Sequence, residues 1–311
     1  MDEVVVADLG GTHARVARAR DGRLGEVRVC RPEDGQDLVG LLRAFLAPAP
    51  RPEALALAVA GPVHDGIARW THRGWTVDAR ALAAALGCEV RLLNDLEAAA
   101  HGLATLAPGD THLLHPGVST ADPRPRLVIA PGTGLGAALW VPGADGGTVV
   151  ATEPGHVRLA RPAGVHGARA ARTGRSDLEG VVSGPGLARL ARAVAQEIGR
   201  PAGTPTPEAV LAAARDGEDA ATAAVHTFVV LLAGACRDLA LATGAVGGVV
   251  LTGGLARALE PWLVTPTFAR TFVDVPTLPD HAARIPVHLV LRPHLALHGL
   301  LASLRRPGGA W

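Results

Sequence analysis

The chain has 311 residues, of which 48% are hydrophobic and 19% are charged, and its formal net charge is +1. This balance is typical of a folded protein with a sizeable core, and the length favours two domains. The small net charge, with no basic stripe, gives no indication of a nucleic-acid or membrane partner. All 30 basic residues are Arg. The absence of Lys excludes a Walker A loop, the protein-kinase pattern with its strand lysine, and Schiff-base catalysis.

The sequence also favours a protein of the reducing cytosol. The first residues lack the basic segment of a signal peptide, and the longest apolar run, residues 228–236, is too short to span a bilayer. Cys30, Cys88 and Cys236 are scattered and form no CxxC motif, so neither a disulfide framework nor a zinc cluster is indicated.

The first predicted elements are two strands, residues 4–8 and 14–19, joined by a Gly-Gly turn. A lone Gly-Gly is most simply a hairpin turn. However, Asp8 before the glycines and Thr12 after them are more than a turn requires. Glycines let backbone N–H groups approach a phosphate, a Thr hydroxyl adds a donor, and Asp8 could hold Mg²⁺.

A second polar pair, Asn94-Asp95, follows the predicted strand 90–93 and precedes the alanine-rich helix pattern 96–103. This order places both side chains at the carboxyl end of a strand, where open α/β sheets bind ligands. Asp is also among the best helix N-cap residues. From these residues alone, a helix cap and a catalytic base are equally good interpretations of Asp95.

The glycine turn recurs twice further along the chain. Strands 127–130 and 135–140 flank Gly132-Thr133-Gly134, and strand 249–251 runs through Thr252 to Gly253-Gly254 and a further helix pattern. Three Gly/Thr turns, each after a buried strand, are stronger evidence than one. They predict an internally duplicated fold with a cleft between its halves.

The other helix patterns complete an alternating arrangement that predicts the α/β class. They cover residues 38–46, 79–86, 187–198 and 220–242. Residues 106–125 and 200–207 read as loops, the first marking a domain boundary. A last strand and helix are expected within 286–304, and residues 305–311 read as a loose tail.

Taken together, the motifs resemble those of the bacterial glucokinases in both content and order. The motifs are Asp8-Leu9-Gly10-Gly11-Thr12, Asn94-Asp95, Gly132-Thr133-Gly134-Leu135-Gly136, Glu153-Pro154-Gly155-His156, Glu179 with Ser183-Gly184-Pro185-Gly186-Leu187, and Thr252-Gly253-Gly254. The resemblance implies a two-domain actin-like ATPase (ribonuclease H-like) fold with duplicated β-sheet cores and a central cleft. It also implies a smaller α/β domain, 1–105 plus 288–311, to which the last strand and helix return, and a larger one, 106–287. The Cys-rich zinc motif of the related repressor/kinase family is absent.

The resemblance further implies ATP-dependent phosphorylation of glucose at its 6-hydroxyl, with Asp95 as general base. Asn94, Asp95, Glu153, His156 and Glu179 correspond to sugar-binding positions. The nucleotide-binding positions are Ala7, Asp8, Leu9, Gly10, Gly11, Thr12, Gly132, Thr133, Gly134, Gly253 and Gly254. ATP and Mg²⁺ are the implied cofactors, with Asp8 on the metal, and the implied protein is a cytoplasmic homodimer of glycolysis.

Simpler interpretations and other functions stay open. Taken singly, Glu153 could be a surface carboxylate, Glu179 one more helix residue and His156 an ordinary hydrogen-bonding group. The chain also departs from the family pattern at His13, at His72, at Pro154, and at Arg292-Pro293-His294-Leu295, where the final helix usually has a glycine-rich start. These changes bear on sugar preference more than on reaction type. The alternatives are a kinase for mannose or N-acetylglucosamine, a polyphosphate-using kinase, and, in a different class, a sugar-sensing protein without turnover.

Overall fold

The computed structural model describes residues 3–10, 14–31, 37–47, 50–70, 74–118, 123–144, 146–201 and 203–304. The chain divides into two compact units. The first comprises Met1–Ala107, Gly143–Ala151 and Arg292–Trp311, and the second comprises Pro108–Pro142 and Thr152–Leu291.

Strands and helices alternate along the described chain. The strands are β1 (Val4–Leu9), β2 (Ala14–Arg20), β3 (Arg23–Leu24), β4 (Arg28–Cys30), β5 (Ala54–Val59), β6 (Val63–His64), β7 (Ile67–Trp70), β8 (Trp75–Asp78), β9 (Glu89–Asn94), β10 (Thr111–His115), β11 (Arg126–Pro131), β12 (Leu135–Val141), β13 (Thr148–Thr152), β14 (Gly248–Leu251) and β15 (Val287–Val290). The α-helices are α1 (Leu38–Leu46), α2 (Ala79–Leu86), α3 (Asp95–His101), α4 (Val165–Arg172), α5 (Gly184–Glu197), α6 (Pro207–Arg215), α7 (Asp219–Thr243), α8 (Gly254–Ala258), α9 (Glu260–Leu263), α10 (Pro266–Val273), α11 (Pro279–Ala283) and α12 (Leu295–Ser303). Short 3₁₀ turns lie at Gly102–Thr105 and Pro154–His156.

The first unit is built on a sheet with the strand order β3-β2-β1-β5-β9, and β4 also pairs with β2. β1 and β2 form an antiparallel hairpin, whereas β1, β5 and β9 run parallel. Alternation along β1 sends Val5, Ala7 and Leu9 into a core with α1 and α2. Val4 and Val6 face the opposite core, which contains residues of α3 and α12. Helices therefore cover both faces of this sheet.

The second unit repeats this topology. Its sheet has the order β10-β15-β14-β11-β12. β11 and β12 form an antiparallel hairpin, and β11, β14 and β15 run parallel. A hairpin followed by two parallel strands thus occurs in both units. The predicted α/β class with duplicated sheet cores is confirmed.

Helix α7 is the central helix of the second unit. It is long and apolar enough to cross a membrane by length and composition. In the fold it contacts α5, α6 and α10, and Phe228, Leu232 and Cys236 are fully buried in the core. Its apolar character is therefore explained by packing between helices.

Two predictions of local structure are wrong. The last strand was expected to return to the first unit with the final helix, but β15 pairs with β14 and β10 in the second sheet. Its Val287 and Leu289 are fully buried there, so the second core holds the strand, and only α12 joins the first unit. Residues 106–125 are also not all loop, because they contain β10. The predicted tail, 305–311, lies outside the described residues.

Candidate active site

Asn94 and Asp95 stand where β9 ends and α3 begins. Asn94, the last residue of the strand, is 6% exposed and is the N-cap of the helix. Its Oδ1 accepts the N–H groups of Leu96 at 2.9 Å and Glu97 at 3.2 Å. Its Nδ2 donates to the carbonyl oxygen of Gly61 at 3.0 Å. These bonds fix the strand-to-helix turn.

The cap of α3 is completed by Glu97, which sequence reasoning missed. Its carboxylate accepts the N–H of Asn94 at 3.4 Å, which completes a capping box. Burial raises the pKa of Glu97, and the bond from Asn94 opposes that shift. The signal was present in the sequence, because Asn-x-x-Glu before an apolar run is typical of this motif.

The structure does not support the interpretation of Asp95 as the helix cap. Asn94 is the N-cap, and Asp95 is the first residue of the helix, where it is partly exposed. Its Oδ1 accepts only a share of the Leu96 N–H, at 2.9 Å. A carboxylate in the first turn also benefits from the positive end of the helix dipole. Asp95 is held in place without acting as the cap.

Asp8 lies at the same sheet edge as Asp95. In the strand register Asp8 pairs with Ala58, and Ala58 pairs with Leu93, one residue before Asn94. Two strand spacings separate the backbones, about 10 Å. The side chain of Asp8 is 19% exposed and lies 3.5 Å from Arg15. Burial raises the pKa of Asp8, and the Arg15 charge opposes the shift.

The first glycine turn is described only in part. Ala7 and Leu9 are fully buried, so their side chains belong to the core and only their backbone could meet a nucleotide. Gly10 follows β1 and is partly exposed. Gly11 and Thr12, together with His13 and His72, lie outside the described residues, and their predicted roles stay predictions.

The second glycine turn joins β11 to β12. The Gly132 N–H donates to the Gly134 carbonyl at 2.8 Å, and the Gly132 carbonyl accepts the Gly184 N–H at 2.7 Å. The turn is thus anchored to the start of α5, and Thr133 is exposed at its tip. A Cβ added at Gly132 would meet nothing within 4 Å. Open space beside backbone is what a phosphate-binding turn requires.

The third glycine turn lies beside the second. β14 runs parallel to β11, so both turns follow the carboxyl ends of neighbouring strands. The Thr252 N–H donates to the Ile129 carbonyl at 2.9 Å. Gly253 has a φ of +96°, which favours glycine, and Gly254 has open space where a side chain would be. Two of the three turns predicted to bind nucleotide, the second and the third, are therefore neighbours.

Glu153, His156 and Glu179 gather around the second glycine turn. Glu153 precedes a short 3₁₀ turn that His156 ends; both are exposed, whereas Pro154 and Gly155 within the turn are buried. The Glu179 N–H donates to the Gly155 carbonyl at 2.8 Å. The backbone of Glu179 is therefore tied to the turn that carries the other two residues.

The carboxylate of Glu179 reaches the glycine turn itself. Its Oε2 accepts the Leu135 N–H at 3.1 Å. A Cβ added at Gly134 would overlap the same oxygen. The interpretation of Gly134 as a purely phosphate-facing glycine is therefore incomplete, because its missing side chain also makes room for Glu179.

Duplicated sheets with glycine turns at their strand ends define the class of two-domain ATPases with the actin-like fold. A family model described as Glucokinase matches residues 5–307, and the chain belongs to that family. Glucokinase of Chromohalobacter salexigens is 35% identical over 96% of this chain and 97% of its own. The structure of glucokinase from an Antarctic psychrotroph has a TM-score of 0.85 and 29% identity, covering 98% of this chain and 99% of its own. The ROK family glucokinase from Streptomyces griseus, solved with glucose and AMPPNP, has a TM-score of 0.67 and 21% identity, covering 97% and 98%.

Proposed function

We propose that this chain phosphorylates glucose at the 6-hydroxyl with ATP, and that Asp95 is the general base. The observation that carries the proposal is that the start of α3 is capped by residues other than Asp95. Asn94 and Glu97 form the cap, and the carboxylate of Asp95 is held beside them at the carboxyl end of β9. Family membership supports the same reaction, and the glucose and AMPPNP in the Streptomyces griseus structure support the two kinds of substrate.

The protein forms no covalent bond to either substrate in the proposed reaction. The sugar O6 attacks the γ-phosphorus, the bond from that phosphorus to the bridging oxygen breaks, ADP leaves, and the O6 proton passes to Asp95. Such a transfer depends mainly on positioning and on charge neutralisation. One carboxylate within reach of the hydroxyl supplies the proton acceptor.

Sugar recognition falls to the polar groups already described. Asn94, Glu153, His156 and Glu179 are the groups we assign to the ring hydroxyls. The carboxylate of Glu179 is an acceptor with sites beyond the one that Leu135 uses, and one of the two Asn94 amide hydrogens is engaged by Gly61. A site that pairs each hydroxyl rejects analogues that lack one.

Nucleotide binding falls to backbone groups, because the chain has no Lys. The turns at Gly132–Gly134 and Gly253–Gly254 are neighbours, and each leaves open space beside a glycine. Asp8 is a suitable ligand for Mg²⁺, because Mg²⁺ is usually bound by one or two carboxylates together with substrate phosphates. The ion would neutralise charge on the phosphates. No cluster of three metal-binding side chains occurs among the described residues.

A coupled assay with a panel of sugars and phosphoryl donors tests the proposal. Glucose, mannose and N-acetylglucosamine are each combined with ATP or polyphosphate. We expect glucose with ATP to give the highest kcat/KM. Binding of glucose without turnover would favour the sugar-sensing alternative. Turnover with polyphosphate alone would remove ATP from the proposal.

The family resemblance extends the proposal to a cytoplasmic homodimer that acts in glycolysis. Light scattering on the purified chain tests the dimer. A single monomeric species at micromolar concentration would contradict it.

A further inference from the structure

We propose that Glu179 is a positioning residue for the nucleotide as well as a sugar ligand, because its carboxylate fixes the second glycine turn and thereby couples the two binding events. This inference rests on the proposed function, in which the turn meets phosphate and Glu179 meets the sugar. It adds a link between them that lies entirely within the second unit.

The first support is the bond from backbone to carboxylate. The Leu135 N–H is the first donor of β12 after the turn, and it donates to Glu179 Oε2 at 3.1 Å. Hydrogen bonds to an ionised acceptor are roughly twice as strong as neutral ones. The partly exposed Glu179 therefore restrains the end of the turn directly.

The second support is steric. Gly134 does not have a positive φ, so a left-handed backbone does not explain the glycine there. A Cβ at Gly134 would overlap Glu179 Oε2, and one at Gly155 would lie 3.1 Å from that oxygen and 2.7 Å from the Leu135 carbonyl. Two glycines on separate segments thus leave room for one carboxylate and its backbone partner. A specific contact requires such a close fit, whereas a carboxylate in open solvent does not require neighbouring glycines.

The coupling follows from the number of bonds a carboxylate can accept. An ionised Glu has about four acceptor sites, so it can keep the Leu135 N–H while accepting a sugar hydroxyl. A sugar that fixes the carboxylate also restricts the glycine turn, and nucleotide then loses less freedom on binding. The effect must be reciprocal, since binding free energies are linked.

Nucleotide binding in the absence of sugar is the decisive measurement. Mg–AMPPNP is titrated calorimetrically into the full chain and three variants. Glu179→Ala should bind about fivefold or more weakly, the lower end of typical coupling between sites. Glu179→Gln should recover part of the affinity, because its amide oxygen can still accept the Leu135 N–H in a weaker, neutral hydrogen bond. If Glu179 served the sugar alone, both variants would bind Mg–AMPPNP with the wild-type affinity.

Glu153→Gln is the matched control. It removes the charge of another proposed sugar ligand, whose side chain makes no cap hydrogen bond to the adjoining 3₁₀ turn. It should weaken glucose binding and leave sugar-free AMPPNP binding unchanged. An equal loss in Glu153→Gln and Glu179→Ala would overturn the inference, because a general effect of charge would explain both.

The titration is then repeated with saturating glucose. In the wild-type chain glucose should tighten AMPPNP binding about fivefold, and Glu179→Ala should bring that ratio close to one. Gly134→Ala, which crowds the carboxylate without altering it, should lower the ratio too and serves if Glu179→Ala does not fold. Wild-type AMPPNP affinity and an unchanged ratio in folded variants would refute the coupling while leaving the kinase intact. A wild-type chain that neither binds AMPPNP nor phosphorylates glucose would refute the proposed function and this inference with it.

Discussion

Replacing Asp95 by Asn separates catalysis from stability at the start of α3. The amide keeps the size of the side chain and an oxygen that can accept the Leu96 N–H, which Asp95 accepts at 2.9 Å. It cannot take a proton from a hydroxyl. We expect kcat to fall about 10²-fold or more, which corresponds to about 2.7 kcal/mol in the activation barrier. Sugar binding should persist.

The expected loss of stability is much smaller. Asp95 and Glu97 are both acidic residues in the first turn of α3. Removing one such charge near a helix N-terminus typically costs about 0.3–1 kcal/mol. Removing the cap itself, as in Asn94→Ala, costs about 0.5–2 kcal/mol. Asp95→Asn should therefore lower kcat more than Asn94→Ala does, whereas Asn94→Ala should lower the melting temperature more than Asp95→Asn does.

A coupled spectrophotometric assay gives kcat and KM, calorimetry gives the glucose affinity, and thermal melting gives the stability. Asp78→Ala is the matched control. Asp78 caps α2 in the same unit through the Arg80 and Ala81 N–H groups, so its loss should lower the melting temperature with little effect on kcat. If Asp95→Asn retains turnover within a few-fold of wild type, Asp95 is not the base.

The remaining predictions concern the glycine turn, sugar preference and pH. Gly132→Ala places a Cβ in the open space proposed for phosphate and should raise the KM for ATP alone, whereas Gly134→Ala crowds Glu179 and should raise the KM for both substrates. Steady-state kinetics measure both KM values. The same change in both variants would contradict the different roles assigned to the two glycines. By resemblance, Pro154 and His72 border the sugar site and depart from the family pattern, so we expect a changed pocket shape that tolerates either configuration at the sugar's 2-position. Mannose should therefore be phosphorylated as well as glucose, with a loss of about 1–3 kcal/mol for one unpaired hydroxyl. The kcat/KM values for glucose, mannose and N-acetylglucosamine check this, and complete rejection of mannose would count against it. Because burial raises the pKa of Asp8 above its usual value of 3.8, the ionised form is less favourable in the fold than in the unfolded chain, and the stability linked to Asp8 is lost as pH rises through the raised pKa. Asp8→Asn should therefore raise the melting temperature of the ligand-free protein at neutral pH but not at about pH 3. The same variant should weaken Mg–nucleotide binding. A lower melting temperature at neutral pH would show that the ion pair with Arg15 stabilises the fold by more than the burial of Asp8 destabilises it.

Local patterns in the sequence predicted the elements that have strong local signals. Helices α1 and α2 lie where their periodicity placed them, and each begins after an Asp whose side chain accepts a backbone N–H of the first turn. The glycine turns after β11 and β14 were likewise predictable, because a buried strand followed by Gly and Thr is a local pattern. What these patterns specify is short-range geometry.

The preference of each residue for the N-cap position does not by itself distinguish Asn94 from Asp95. Both are good N-cap residues, and one step in sequence decides which becomes the cap. The spacing from Asn94 to Glu97 carried the answer, because the capping box needs its acid three residues after the cap. The cap was therefore predictable from a local pattern.

Other features depend on contacts between distant segments. The sequence gives no sign that the Glu179 carboxylate meets the Leu135 N–H, since that contact depends on how the two segments fold together. The pairing of β15 with β14 is non-local in the same sense. His294, directly before the final helix, has a φ of +59°, a conformation that favours glycine. The backbone there keeps the conformation that a glycine would adopt easily.

The packing of α12 against α3 has a consequence for how the protein is made. Gly299 of α12 lies so close to α3 that a Cβ there would overlap the Ala98 carbonyl, and a Cβ at Gly102 would lie 2.7 Å from the Leu295 carbonyl oxygen. The whole second unit lies between these two helices in the sequence. The ribosome must therefore synthesise the second unit before α12 is available to pack against α3, the helix that carries Asp95. Until then the apolar face of the first sheet is exposed on the nascent chain, where chaperones and proteases can reach it. Synthesis interrupted within the second unit should therefore yield a fragment that is prone to aggregation and cannot catalyse the reaction.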